Sequence, residues 1–303
     1  MHHYDAEYHS FGPWIFEISE KHPLPPIFIP YYKKFDDQLL LVKIPRNIDR
    51  KDAKPGMDLY DYVIGMYEDY MYILERKDNT VEENKITYRE IEGLNILNDL
   101  LIGELTLYLT NRVLKIPYNT VSDDLIHKMV KISRDRYANA VCLLKGKNAY
   151  EPNQLKKTDV LFSNLLKDME RNGDLFNNIF VQPAVNLKTN KSNILRKIFK
   201  ITREKLLNSL YLTNDKELAV ITRGQLITKG RDAIYSYSHT YIPFEKLQDI
   251  VLDNDENYNN LKRLFFRTDH HTFMFYFENG NKQIEDTYGN FLMDFMRGKH
   301  GST

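Results

Sequence analysis

The residues with the most evident chemical capacity stand together near the end of the sequence, as Asp269-His270-His271. A carboxylate beside two imidazoles can hold a divalent metal or move protons near neutral pH. On a strand, successive side chains point to opposite faces, so these histidines share a ligand only where the chain bends, and a metal needs a further carboxylate from elsewhere. The alternative use is a turn or strand end carrying solvated histidines. A second grouping is electrostatic: Lys188, Lys191, Arg196, Lys197, Lys200, Arg203 and Lys205 are opposed only by Glu204. Such a run suits lipid headgroups or nucleic-acid phosphates, and its candidate contacts are Lys191, Arg196, Lys197, Lys200, Arg203 and Lys205. A solvated linker face has the same composition. A third is aromatic: Tyr60, Tyr62, Tyr67, Tyr70 and Tyr72 could stack on bases or sugars, or form a sheet surface with bonded hydroxyls.

Other reactive signatures are missing from the sequence. No His-x-x-x-His spacing, glycine-rich phosphate loop or Gly-x-Ser-x-Gly elbow occurs. No cofactor is expected, and the balance leans away from an enzyme. Cys142 is the only cysteine, which excludes an intrachain disulfide and a cysteine zinc knuckle. A reducing cytoplasm fits that usage. The first residues lack the basic and apolar regions of a signal peptide, and no window approaches the ~18 apolar residues of a membrane span.

Across 303 residues, 42 Lys and Arg balance 42 Asp and Glu, and 42% of residues are hydrophobic. This is the composition of a folded protein of one or two domains rather than a disordered chain. Zero formal charge argues against nucleic acid as the partner, since coating phosphates requires a net basic surface.

The elements that must position these groups come next. Six of the eleven prolines fall in the first fifty residues, which predicts an extended, non-helical arm. Trp14 and its neighbours Ile15, Phe16 and Ile18 are expected to pack on a domain. Over 58–74 the periodicity is ambiguous, and the reading favours a short helix followed by a strand. Asp78-Asn79 predicts a hairpin turn. Leu105, Leu107 and Leu109 alternate with Thr106 and Tyr108, as in a half-buried strand. Ser122 is a plausible N-cap for a helix from Asp123 to Tyr137, with its acids early and its bases late. A further helix is expected from Asp159 to Arg171, ending near Gly173. Residues 217–222 and 224–230 read as a hairpin, and Leu261 to Phe266 with Thr272 to Phe277 as a strand pair. A closing helix is expected on Ile284, Tyr288, Phe291, Leu292 and Phe295, with Gly298 at its end.

Ile86-Thr-Tyr-Arg-Glu-Ile91 and Ile242-Pro-Phe-Glu-Lys-Leu247 share an aromatic-x-x-aliphatic form, and each introduces further strands. With several antiparallel strands before it and one helix after, this order resembles the pleckstrin-homology-like (PH-like) superfold, in particular its bacterial versions. The resemblance implies an α+β protein of two PH-like antiparallel β-sandwich or barrel domains, each closed by a C-terminal helix. The expected layout is a Pro-rich arm over 1–57, a first domain over 58–140, a helical and basic connector over 141–207, a second domain over 208–298 and a tail over 299–303. Lipid-binding members carry a basic pair in the first hairpin loop; Arg76-Lys77 and Arg223 lie near such turns without matching that motif. The expected function is therefore a non-catalytic binding or scaffold protein with a protein or peptide partner, peripheral contact with an anionic membrane being left open. Asp269-His270-His271 also resembles the signature of a phosphoesterase family that uses further aspartates on a parallel α/β scaffold. That makes a metal-dependent hydrolase the alternative.

Overall fold

The computed structural model describes residues 3–139, 160–189, 204–224, 226–229 and 234–280, with 285 and 289. The protein is α+β, with mostly antiparallel sheets and few helices. Two compact units divide the chain: Met1–Ile91 with Asn98–Ala138, and Glu92–Leu97 with Asn139–Thr303.

The first unit opens with α1 (His3–Ser10) and β1 (Phe16–Glu17), followed by a 3-10 helix over Pro26–Lys34. The arm is thus not wholly extended, as its prolines had suggested. Proline fits the first turn of a helix, where its missing N–H is not needed and its fixed φ is already suitable; Pro25 and Pro26 sit at that point. Phe28 of this helix is fully buried, and it packs with Phe11, Phe35, Leu59, Tyr60, Val63 and Leu74. Burying one such side chain contributes about 1.5–3 kcal/mol. Trp14, expected to pack, is 45% exposed, its ring laid against the bare face of Gly12. The helix α1 has no apolar stripe; buried Glu7 ties it to buried Lys43, whose Nζ lies 3.5 Å away and also donates to Pro23 O at 2.7 Å.

β2 (Leu40–Pro45), β3 (Tyr60–Met66), β4 (Tyr70–Lys77) and β5 (Thr80–Thr87) continue from β1 in an antiparallel sheet of order β1-β2-β3-β4-β5. The helix read near residue 60 is the strand β3. β3 is interior to the sheet and buried at nearly every position, which erases the alternation that marks a half-buried strand. Asp78, at φ 54°, makes the expected turn between Lys77 and Thr80, which pair. β6 (Ile91–Asp99), β7 (Ile102–Leu109) and β8 (Arg112–Asn119) follow in the chain, and β7 and β8 form a hairpin. Leu105, Leu107 and Leu109 face inward as predicted. Helix α2 (Asp123–Tyr137) buries Ile126, Met129, Val130 and Tyr137. Ser122 occupies its N-cap without a side-chain bond; just upstream, Asn119 Oδ1 accepts from Val121 N.

In the second unit, α3 (Val160–Arg171) ends in a Schellman arrangement: Asp174 N donates to Met169 O, Gly173 N to Glu170 O, and Gly173 takes φ 79°. The strands are β9 (Asn177–Gln182), β10 (Val185–Asn186), β11 (Glu204–Leu206), β12 (Ser209–Thr213), β13 (Glu217–Arg223), β14 (Ile227–Lys229), β15 (Tyr237–Pro243), β16 (Asp249–Asn254), β17 (Leu261–Arg267) and β18 (Thr272–Glu278). Here the order β6-β15-β13-β12-β9 makes one sheet, and β10-β11-β14 and β16-β17-β18 make two others. The hairpin expected between β13 and β14 does not form: β13 pairs with β12 and β15, while β14 pairs with β11. Gly224 packs so tightly on Ser236 that a Cβ would lie 2.5 Å from its Oγ, and here the chain leaves β13's ladder. β17 and β18 pair as expected, burying Phe273, Phe275 and Phe277.

Among the described residues no sheet closes into a barrel. The residues of the expected closing helix, Ile284, Tyr288, Phe291, Leu292, Phe295 and Gly298, lie outside the described residues; Glu285 and Gly289 are helical. Among the described residues no helix is long and apolar enough to cross a membrane.

Candidate functional site

Arg267 pairs with Thr272, so Thr268, Asp269, His270 and His271 form the loop between β17 and β18. The loop is closed by Thr268 N donating to His271 O at 2.9 Å, with Thr268 Oγ1 3.1 Å from His271 N. The Asp-His-His string is a turn, not a strand, and its anchor is Glu92 on β6. Glu92 is 2% exposed and accepts three bonds from the loop: Thr268 Oγ1 at 2.6 Å, His270 Nδ1 at 2.6 Å and His270 N at 3.0 Å. Burial alone would push the Glu92 carboxyl up, but these donors and the imidazole charge outweigh it and hold the group below the usual carboxylate range.

That carboxylate–histidine pair fixes the imidazole's orientation. It spends His270 on holding a loop, while Asp269 is exposed. Among the described residues no three or more His, Cys, Asp or Glu side chains are placed to hold a metal ion.

Of the basic run, Lys191, Arg196, Lys197, Lys200 and Arg203 lie outside the described residues. Lys205 is on β11, paired with Thr228 and Asn186, and Lys188 bonds residues 259 and 260 through its backbone. The bases near hairpin turns are engaged: Arg76 Nη2 meets Asp61 at 2.6 Å, and Arg223 lies 5.7 Å over the Phe162 ring. The tyrosines do not make a stacking platform. Tyr60, Tyr62 and Tyr67 are buried, Tyr62 donates to Glu75, Tyr67 donates to Lys34 O, Tyr72 bonds Glu83, and Tyr70 stacks on Tyr67.

A site absent from the sequence reading lies in the first unit. There the exits of α1, β2 and β8 enclose a cleft of about 270 Å³, lined by Phe11 and Gly12, by residues 45–50, and by Tyr118 and Asn119. Its charged lining is Arg46, Asp49 and Arg50. Arg46 Nη1 donates to Asp58 O at 3.2 Å, and its Nε stands 3.7 Å from Asp61, whose nearer partner is Arg76. The Arg50 guanidinium lies 4.2 Å over the Tyr8 ring, and Asp49 pairs with Lys51 at 2.9 Å. Tyr118 is held by its hydroxyl, 2.5 Å from Asn98 Oδ1. Nothing in the linear order signals this grouping, because its three segments are separated by tens of residues. No protein-family model matches the chain, and no curated protein matches it.

Proposed function

We propose that this is a non-catalytic binding or scaffold protein built on two PH-like domains, which accepts a peptide strand of a protein partner. The observation that carries the reading is a repeated order of elements. The first half runs through the antiparallel strands β2, β3, β4 and β5, then β6, β7 and β8, then α2. The second runs through β9, β12, β13 and β15, then β16, β17 and β18, and then reaches helical Glu285 and Gly289, with β10, β11 and β14 inserted. Each half passes from its fourth strand to its fifth through the aromatic-x-x-aliphatic turn. The engagement of His270 by Glu92 supports the non-catalytic part of the reading.

The edge strand β18 is the segment best suited to receive a peptide. Its alternate residues Thr272, Met274 and Tyr276 carry no charge, whereas the edge strand β5 bears Glu82, Glu83 and Lys85, which discourage pairing. Glu278 N already donates to Gln182 Oε1 and Tyr276 O accepts from the Tyr211 hydroxyl, so the stretch open to a peptide is 272–274. Screening the full chain against a peptide array, followed by hydrogen exchange on the hits, is expected to give protection confined to residues 272–274 and loss of binding in Met274→Lys. Protection elsewhere would overturn the edge assignment. Manganese-dependent phosphoester hydrolysis lost in a His270→Ala, His271→Ala variant would overturn the non-catalytic reading.

A further inference from the structure

We infer that the cleft between the exits of α1, β2 and β8 is a binding site for a small organic carboxylate with an apolar body. Two guanidiniums line it with donors to spare. Nη2 of Arg46 and all of the Arg50 head have no hydrogen-bond acceptor among the described residues. An arginine fork matches the two oxygens of a carboxylate, and such charge-assisted bonds are about twice as strong as neutral ones. Among the described residues of the lining two guanidiniums face one carboxylate, Asp49, which Lys51 also meets at 2.9 Å, so the local balance favours an anion.

The remaining wall selects for the rest of the ligand. Phe11, Pro13 and Pro45 give it apolar surface. A space of about 270 Å³ lies just below the usual range of ligand pockets, which suits a body the size of a benzoyl group or an amino-acid side chain. The cleft is also built in. Gly12 lets the Trp14 ring lie close, since a Cβ there would be 2.1 Å from it, and Tyr118 is pinned through Asn98.

This site is independent of the strand-edge reading, and neither stands or falls with the other. The test is calorimetric titration and thermal melting of the full chain with hippurate, its neutral amide hippuramide, and inorganic phosphate as probes. Hippurate is expected to bind saturably with Kd below about 1 mM and to raise the melting temperature. The amide should bind at least about tenfold more weakly, for want of the charge-assisted bonds. Arg50→Gln, at an exposed position, should weaken hippurate by about tenfold, and Arg50→Lys should keep the charge yet lose the fork. Absence of saturable hippurate binding, equal affinity for acid and amide, an undiminished Arg50→Gln variant, or binding of phosphate in place of hippurate would each overturn the assignment.

Discussion

Residues 86–91 and 242–247 perform one local task with different polar chemistry. In both, an aromatic side chain goes under the sheet, Tyr88 at 1% and Phe244 at 2% exposure, and the aliphatic three places on, Ile91 or Leu247, is fully buried. In both, that aliphatic residue's N–H donates to the aromatic residue's carbonyl. The caps differ. Thr87 N and Oγ1 donate to Glu90 Oε2 at 2.7 and 2.8 Å, forming a capping box. Pro243 stands where Thr87 does and has no N–H, and Lys246 stands where Glu90 does; that turn relies on Lys246 N donating to Pro243 O. The shared part is the buried aromatic–aliphatic pair, so packing sets the turn and the cap refines it.

The largest test of this comparison removes the aromatics. Tyr88→Ala and Phe244→Ala should each cost about 3–5 kcal/mol in chemical denaturation, from lost burial and the cavity left behind. A loss below about 1 kcal/mol at either position would break the equivalence. The next effect belongs to the second unit alone, where Glu92 holds the β17–β18 loop. Glu92→Gln should cost about 1–3 kcal/mol, because Thr268 Oγ1 and two His270 donors face a poorer acceptor.

The pH dependence of that variant checks the sign. The folded state holds the Glu92 carboxyl below its ordinary value, so its contribution is fully present above the unfolded value and is lost as pH falls through the folded one. Wild type should therefore lose stability in acid more steeply than Glu92→Gln; parallel curves would show that the carboxylate charge plays no part. Smaller again, Glu90→Ala should cost about 1 kcal/mol through the capping box alone. The finest test carries the cap across. Pro243→Thr with Lys246→Glu should stabilise the second turn by about 0.5 kcal/mol if the two turns are interchangeable, and should destabilise it if Pro243 is needed for its fixed φ.

The sequence by itself determined the elements that keep one face wet or that rest on special backbone chemistry. Leu105, Leu107 and Leu109, the Phe273-Phe275-Phe277 row, the stripe of α2, the turn at Asp78 and the end of α3 at Gly173 could all be read from spacing or from a residue's φ preference. Each depends on neighbours a few positions away. Only the tertiary structure decided the rest, because the deciding partner is distant in the chain. β3 lost its alternation through burial on both faces, and β13 took β15 rather than β14. Asp269-His270-His271 became a held turn because of Glu92, 178 residues away from His270. Arg46 and Arg50 acquired a shared cleft only when the ends of α1, β2 and β8 met. Local pattern encodes which face of a strand is dry, but a site made of charges is a sum over distant segments, and only the folded packing brings those terms within bonding distance.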